Sequence, residues 1–180
     1  MSAPGSSALR IHDENPAPLL EAAFRRIETG SMAGVPMLNN ALRVEAVGFA
    51  RWQSHWLGTL VTPWFMNLVL VPGEADTWQS VGPGQRLFRK FPSGDFAFLG
   101  SEEPEVGEFQ CCSLFSPMGQ FSDQDGAREV AQAALAALLS DPVNAAPPTP
   151  PREAFADPKQ AAIERPMSKR EFIGGLFRRG

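Results

Sequence analysis

Apolar, β-branched and aromatic side chains are densest between Trp52 and Gly73, in the run WQSHWLGTLVTPWFMNLVLVPG. The almost unbroken apolar stretch Trp64–Val71 is closed by Pro72-Gly73, which is typical of a short buried strand. Trp56–Val61 reads as a second strand. Thr62–Phe65 separates the two and contains a proline, which cannot donate to a sheet ladder, so the sequence predicts a hairpin that reverses there.

The pattern allows two interpretations of Trp64 and Phe65. In the first, the hairpin is the centre of the hydrophobic core and both side chains lie inside it. In the second, the two aromatic side chains stay exposed at the turn and bind a partner. Periodicity alone leaves both interpretations open.

The flanking sequence predicts two helices and further strands. Asn15-Pro16 offers a cap with proline at the first helical position, and apolar residues then recur at helical spacing as far as Gly30. Ser122 offers the cap of a second helix, whose apolar stripe ends before Asp141-Pro142. The predicted elements are a helix over 16–29, strands over 43–50, 56–61, 64–71, 86–91, 95–99 and 108–115, and a helix over 122–141.

These elements predict an α+β fold, in which a mostly antiparallel sheet of about five to six strands is packed by an N-terminal helix and a C-terminal helix. Residues 1–14 are small and polar and are expected to be disordered. A single domain is expected over 15–141, with Glu102–Glu105 as an acidic loop. The seven prolines of 142–166 predict an extended linker.

Residues 167–180 have a different character from the linker. Ser168 and Glu171 have the spacing of a capping box, and basic residues frame an apolar face. Two consecutive glycines make the helix marginal on its own. The segment therefore predicts a basic amphipathic docking tail, although folding back onto the domain is an equally open alternative. Its apolar residues are Phe172, Ile173, Leu176 and Phe177.

Composition narrows the classes of function. The net charge of −4 and pI near 5.2 argue against nucleic acid as the main partner. Two cysteines and two histidines are too few for a closed structural metal site, so no cofactor or metal is expected. Adjacent cysteines do not favour a disulfide, which fits a reduced, cytoplasmic chain. No signal peptide or membrane-spanning segment is visible in the sequence.

A search for catalytic motifs finds little. His55 lies between Trp52 and Trp56 and is a candidate general base, but no nucleophile with a matching signature accompanies it. No phosphate-binding glycine loop follows a strand. Cys112 is the residue to test for reactivity, although a cysteine inside a strand is usually inert. We therefore expect a protein that is not an enzyme.

Three runs carry a more specific signal: WLGTLVTPWFMNLVLVPG (56–73), FPSGDFAF (91–98) and CSLFSPM (112–118). In this order and spacing they resemble the HybE/HupJ family of nickel–iron hydrogenase assembly chaperones. The closing MSKREFIGG (167–175) resembles the tail of many members. The match covers about 16–140 and the tail. Some members carry a fused rubredoxin domain, and this chain has no paired CxxC motifs for such an iron site.

The resemblance implies a cytoplasmic accessory chaperone that handles an immature hydrogenase subunit before export of the mature heterodimer. Its implied partners are the precursor of the small or large subunit, the twin-arginine signal peptide, and other maturation proteins. Direct membrane insertion is not implied. The tail carries +3 and the remaining 166 residues −7, so the acidic remainder is a candidate surface for steering an arginine-bearing signal peptide.

A chaperone needs an exposed apolar surface, and the two most family-like runs both end at prolines where strands leave the predicted sheet. We therefore expect their side chains to form one partner-binding patch, to which the tail adds a second docking element. The predicted patch consists of Trp64, Phe65, Met66, Phe115, Pro117 and Met118, and the tail contributes Phe172, Leu176 and Phe177.

Two other classes of function stay open at this point. In one, Cys112, with Cys111 and His55, handles iron or protects a maturing iron–sulfur cluster. In the other, the sheet and helices enclose an apolar pocket for a small molecule. Metal content separates the first class from a chaperone.

Overall fold

The computed structural model describes residues 9–141. The described chain contains two helices and six strands, in the order expected from the hydrophobic pattern. The bounds are α1 (Ala17–Thr29), β1 (Glu45–Trp52), β2 (His55–Val61), β3 (Met66–Val71), β4 (Arg86–Phe91), β5 (Gly94–Glu103), β6 (Gly107–Phe115) and α2 (Gln124–Leu139).

The six strands form one antiparallel sheet in the order β1-β2-β3-β6-β5-β4. Chain neighbours pair in β1-β2-β3 and in β4-β5-β6, and the two groups join where β3 pairs with β6. The predicted α+β fold with a mostly antiparallel sheet and two packing helices is confirmed. Within residues 9–141, no helix is long and apolar enough to cross a membrane.

One face of the sheet packs on α1. Leu20, Ala23 and Phe24 of that helix are buried among Leu60 and Val69 of the central strands. Because side chains alternate across a strand, each of these strands also supplies residues to the opposite face. Burial of the apolar stripe of α1 is what holds this helix on the sheet.

The opposite face packs on α2 and forms the larger core. Ala127, Ala131 and Leu138 of the helix are fully buried there, together with Leu68 and Phe98 of the sheet. Thr59 Oγ1 donates to the Ala131 carbonyl oxygen at 3.3 Å, which satisfies a hydroxyl inside this apolar layer. The small side chains of Ala127, Ala131 and Ala134 on the buried side of α2 let the helix approach the strands closely.

The start of the described chain is better ordered than its composition predicted. The main chain of His12 donates to Pro72 O at 3.0 Å and accepts from Trp56 Nε1 at 2.8 Å. The His12 ring contacts the Val106 carbonyl oxygen at 2.8 Å. The expectation of disorder over 1–14 is therefore wrong for residues 9–14, because long-range hydrogen bonds fix a segment that has little apolar character of its own.

Several element boundaries also differ from the predictions. Asp123, rather than Ser122, caps α2, and its Oδ1 accepts from Gly126 N at 2.7 Å. Asn15 Oδ1 accepts from Ala17 N at 3.0 Å, while Pro16 holds the capping position of α1. Glu102 and Glu103 belong to β5 rather than to an acidic loop, because they pair with the start of β6.

The predicted linker over 142–166 and the predicted docking tail over 167–180 lie outside the described residues. The same holds for residues 1–8 of the predicted disordered N-terminus. Phe172, Leu176 and Phe177 therefore stay predictions.

Candidate partner-binding surface

The family-like runs 56–73 and 112–118 meet at one end of the two central strands, β3 and β6, as the sequence predicted. Met66 pairs with Phe115 where β3 and β6 join. Beyond that pair, Ser116 Oγ donates to Trp64 O at 3.4 Å, so the 62–65 turn and the chain after β6 lie side by side. The hairpin predicted at 56–71 is also present, with Thr62–Phe65 as its reversal.

The predicted patch is largely inside the protein, however. Met66 and Met118 are 0% exposed and Phe115 is buried with them in the core beneath α2. Pro117 is exposed. The expectation that these four residues share an exposed surface is wrong for the first three, because the chain after β6 turns back over the end of the sheet and buries its large side chains.

Trp64 and Phe65 lie between the two interpretations that the sequence left open. Both are half-buried, and both pack on Phe24 of α1, at ring-centroid distances of 6.5 and 5.7 Å. Phe109 of β6 contacts the same Phe24 ring edge-on at 6.4 Å. These four rings, here called the aromatic cluster, fix α1 to the sheet, and only Trp64 and Phe65 among them are partly exposed.

Side-chain hydrogen bonds build the turn that carries this cluster. Thr62 Oγ1 accepts from the main-chain N–H groups of Trp64 and Phe65 at 3.2 and 2.9 Å and donates to Phe65 O at 3.0 Å. The threonine hydroxyl thus satisfies the main-chain N–H groups of Trp64 and Phe65, and Phe65 O also accepts from Thr62 N at 2.8 Å. Thr62 is buried, so these hydrogen bonds are shielded from water.

Asn39 forms hydrogen bonds to two further segments at this end of the central strands. Its main-chain N–H donates to Pro63 O at 2.9 Å, and its side-chain Nδ2 donates to Met118 O at 2.9 Å and Phe121 O at 2.7 Å. One residue therefore joins the 31–42 loop, the hairpin turn and the segment that leads into α2. Sequence reasoning missed this role, because an asparagine in a loop carries no long-range signal.

A second apolar surface lies on the half of the sheet formed by β6, β5 and β4. On the α1 side, the strand register places Arg86 opposite Leu99, Phe88 opposite Ala97, and Leu99 opposite Cys111. Phe88 is 65% exposed and Leu99 is 41% exposed. These five residues, here called the open sheet face, line a depression of about 380 Å³.

The open sheet face was visible in the sequence only in part. The FRKFPSGDFAF run contains four phenylalanines, of which Phe91, Phe96 and Phe98 are buried beneath α2. Phe88 points to the other side because it has the opposite parity to Phe91. Alternation alone does not reveal which side a helix will cover, so the exposed phenylalanine was missed.

Positive charge borders this face. Arg86 and Lys90 lie two residues to either side of Phe88 on the same face of β4. Among residues 9–141, neither cation has a carboxylate within ion-pairing distance. Asp95 lies opposite Lys90 in the strand register and is exposed. Phe88 on the open sheet face is thus flanked by two cations that form no ion pair with any other described residue.

The two cysteines lie on opposite faces of β6, and neither forms a disulfide within residues 9–141. Cys112 is buried in the core beneath α2. Cys111 is half-buried on the open sheet face, where burial raises the pKa of its thiol and Ser101 Oγ lies 3.6 Å from Sγ. Within the described residues, no three histidine, cysteine or acidic side chains come together as a metal site would require.

His55, the candidate general base of the sequence, lies at the start of β2 and contacts the segment that follows β3. It is buried, its Nδ1 accepts from Gly73 N at 3.3 Å, and its ring contacts Trp78 edge-on at 5.1 Å. Burial lowers the pKa of His55, with the nearby Arg89 adding to the effect. His55 Nε2 also lies 3.4 Å from both the carbonyl oxygen and Oγ1 of Thr77, and that hydroxyl donates to Glu74 Oε2 at 2.9 Å.

Comparison with known proteins agrees with this architecture. The family model described as "NiFe-hydrogenase assembly, chaperone, HybE" matches residues 15–175. The chain is similar to the hydrogenase expression/formation protein HupJ of Bradyrhizobium diazoefficiens, with 41% identity over 90% of each chain. It is 43% identical to protein HoxT of Cupriavidus necator over 72% of this chain and 79% of that one.

A solved structure has the same fold. The solution structure of HybE from Escherichia coli superposes with a TM-score of 0.61 and 25% identity, covering 81% of this chain and 90% of that chain. The resemblance noted in the three sequence runs is therefore confirmed by the family model, by the curated relatives and by the fold. This chain belongs to the HybE family of NiFe-hydrogenase assembly chaperones.

Proposed function

We propose that this chain acts in the cytoplasm as a non-catalytic chaperone that holds an immature structural subunit of a nickel–iron hydrogenase before export. The open sheet face is the proposed binding surface for that client. The observation that carries the proposal is Phe88, a phenylalanine 65% exposed on a rigid strand beside the 41% exposed Leu99. Large rigid aromatics of this kind commonly anchor interfaces.

The geometry of the surface suits reversible binding of an unfolded or partly folded client. The strands hold Phe88 and Leu99 in fixed positions, so binding does not have to order a loop. The depression of about 380 Å³ accommodates a few side chains rather than a whole domain. Affinity from so small a surface is modest, which allows the client to leave once assembly is complete.

The charges on this surface favour one part of the client over another. Arg86 and Lys90 repel a basic segment, so an arginine pair of a twin-arginine signal peptide is disfavoured there. We therefore propose that the open sheet face binds an apolar segment of the subunit itself, with carboxylates near its ends. Trp64 and Phe65 of the aromatic cluster, together with the exposed Pro117, lie at the end of the central strands. They stay a candidate contact for the signal peptide or for another maturation protein.

Co-purification of hydrogenase subunits with the full-length chain tests the proposal. Phe88→Ser combined with Leu99→Ser removes the apolar anchor and is expected to lower client capture by about 30-fold, the equivalent of about 2 kcal/mol. Because both side chains are largely exposed, the free energy of unfolding should change by less than about 1 kcal/mol. Mass spectrometry of the captured subunit identifies the client in the same experiment.

Met37→Ser is the matched control. Met37 is 63% exposed but lies in the 31–42 loop, which Asn39 joins to the hairpin turn beside the aromatic cluster. Unchanged capture by this variant, together with loss in the Phe88/Leu99 variant, supports the open sheet face. Loss of capture by Met37→Ser, with unchanged capture by the Phe88/Leu99 variant, would indicate that the client binds beside the aromatic cluster. That result would reject the open sheet face.

A further inference from the structure

The two edge strands of the sheet differ in how their outward main-chain groups are satisfied. At the β1 edge, side chains of other segments bind these groups: Glu21 Oε1 accepts from Ala46 N at 3.0 Å, and Asn15 Nδ2 donates to Phe49 O at 3.2 Å. The register of β1 with β2 also shifts within the strand, as at a β-bulge. The β1 edge therefore offers few partners to a further strand.

The opposite edge, β4, keeps a row of main-chain groups that nothing else in the described chain uses. Gly100 N donates to Gln85 O at 2.9 Å where the pairing of β4 with β5 begins. Hydrogen-bonded and non-hydrogen-bonded pairs alternate along an antiparallel ladder, so the N–H and C=O groups of Arg86, Phe88 and Lys90 point away from β5. Within residues 9–141, no hydrogen bond from another segment reaches these groups.

The same three residues place their side chains on the open sheet face, because alternate residues of a strand share a face. Phe88 is 65% exposed, and neither Arg86 nor Lys90 forms an ion pair within residues 9–141. Asp95 of β5 lies opposite Lys90 but beyond ion-pairing distance. The β4 edge thus presents outward main-chain groups and a basic, aromatic, basic row on the same residues.

We propose that the free edge of β4 binds an extended segment of the client as a seventh, antiparallel strand. The segment has an acid, an apolar residue and an acid at alternate positions. Its central residue lies opposite Phe88, donates its N–H to Phe88 O and accepts from Phe88 N. The first acid lies opposite Lys90 and the second opposite Arg86, because antiparallel strands run in opposite directions. The inference rests on the proposed function and names the client segment and how it binds.

Strand addition contributes affinity that the small apolar surface alone lacks. Main-chain hydrogen bonds along the added strand supplement the contact with Phe88, and they form with any segment that is extended. The side chains opposite Arg86 and Lys90 then select acidic over basic segments, since pairs of unlike charge directly opposite each other stabilise a sheet. Because β4 is already formed, the chaperone orders no segment of its own on binding.

The charges of this edge disfavour a second copy of the chain. β4 pairing with β4 around Phe88 would place Arg86 opposite Lys90, and like charges directly opposite are destabilising. Charged side chains commonly protect an exposed strand from pairing with another sheet. At this edge the protection is selective, because the charges that repel a copy or a basic segment attract an acidic one.

Peptides that differ only in main-chain methylation test strand addition to the full-length chain. The probe is the acetylated and amidated peptide Ser-Glu-Thr-Phe-Thr-Asp-Ser, and NMR titration of the β4 amides measures its Kd. Methylation of the phenylalanine nitrogen removes a donor that faces β4 and is expected to weaken binding by about tenfold or more. Methylation of either threonine nitrogen, whose N–H points away from β4, is the matched control and should change Kd by less than about twofold.

Reversing one charge tests the direction of the added strand. Arg86→Glu should weaken binding of the probe about fivefold. A peptide with lysine in place of the aspartate should bind this variant about fivefold more tightly than it binds the wild type, because Arg86 lies opposite that position. Arg43→Glu changes an exposed cation that precedes β1, at the other edge of the sheet, and should leave both affinities nearly unchanged.

Four results would overturn the added strand. Absence of probe binding, or an equal loss on methylation of the phenylalanine and threonine nitrogens, would show that main-chain pairing does not occur. Rescue of Arg86→Glu by lysine in place of the glutamate, rather than of the aspartate, would contradict the antiparallel direction. Probe binding that weakens as the protein concentration rises would assign the edge to a second copy.

Competition with the client separates this inference from the proposed function. Excess probe should release a captured hydrogenase subunit from the full-length chain, whereas the peptide methylated at phenylalanine should not. If capture is lost in the Phe88→Ser/Leu99→Ser variant but the probe releases nothing, the proposed function stands and the client strand is wrong. If capture is unchanged in that variant, the proposed function and the client strand are both wrong, even where the peptides pair with β4.

Discussion

Phe24 of α1 stacks on Trp64 of the hairpin turn, with ring centroids 6.5 Å apart and an interplanar angle of 26°. The contact joins the first helix to a turn 40 residues further along the chain. It explains why Trp64 and Phe65 are only half exposed, although they follow a proline at the rim of the sheet. Their side chains close the gap between the end of α1 and the sheet.

Replacing both residues, in a Trp64→Ser/Phe65→Ser variant, should therefore destabilise the fold. We expect a loss of about 2–4 kcal/mol in the free energy of unfolding, less than for two fully buried aromatics because one side of each ring already faces solvent. Urea denaturation measures it. Phe88→Ser is the control for loss of an exposed aromatic, and a Trp64/Phe65 variant as stable as that control would contradict the packing role.

Asn39→Ala tests the junction of three segments. The substitution removes the two side-chain hydrogen bonds to Met118 O and Phe121 O and should cost about 2 kcal/mol, because those carbonyl groups lose their partner in a partly buried site. Asn40→Ala, at an exposed neighbouring position, should be close to neutral. Equal thermal midpoints for the two variants would show that the junction holds without Asn39.

Glu45 makes the stability of the fold sensitive to acid. Burial opposes the charged form of this carboxyl, but hydrogen bonds from Arg128 Nε at 2.8 Å and Gln124 Nε2 at 2.7 Å outweigh it and lower the pKa of Glu45. A carboxyl with a lowered folded-state pKa stabilises the fold above its unfolded-state pKa of about 4.3 and loses that contribution as the pH falls through the folded-state value.

Glu45→Gln should therefore lower stability near neutral pH and flatten its decline below about pH 4.3. Denaturation midpoints between neutral and acidic pH measure the effect. Glu129→Gln removes an exposed carboxyl of α2, next to Arg128 in the sequence, and is the control. If stability falls with pH in the same way below about pH 4.3 in the Glu45→Gln variant and in the wild type, Glu45 does not cause the acid sensitivity.

Metal content separates the chaperone from the metal-handling alternative. Cys112 is buried and Cys111 lies on the opposite face of the strand, so the two thiols cannot bind one metal together without rearrangement of β6. We expect protein purified without a tag to contain no stoichiometric iron, nickel or zinc by elemental analysis. Binding near one metal per chain that is lost on Cys112→Ser would instead support metal handling.

Deleting residues 167–180 tests the predicted docking tail, which lies outside the described residues. If the tail docks on a client, the thermal midpoint of the domain should stay nearly unchanged while client capture weakens. Scanning calorimetry and co-purification measure the two effects. Unfolding of the domain on deletion would show that the segment belongs to the core.

The sequence by itself determined the elements of this protein and its family. Periodic burial of apolar side chains located α1, α2 and the strands, since a helix or strand must bury one side to be stable. The 56–73 run identified the family because it combines the central hairpin with its proline turn. The parity of Phe88 relative to Phe91 was also readable, because successive side chains on a strand alternate between faces.

The tertiary structure alone decided which of those faces is covered. Pairing of β3 with β6 sets the strand order, and that order leaves β4 at an edge and Phe88 in solvent while it buries Met66, Phe115 and Met118. Contacts between segments far apart in the chain, such as those of Asn39 and His12, decided the rest. Local sequence does not encode such contacts, because their free energy depends on groups brought close only by the complete fold.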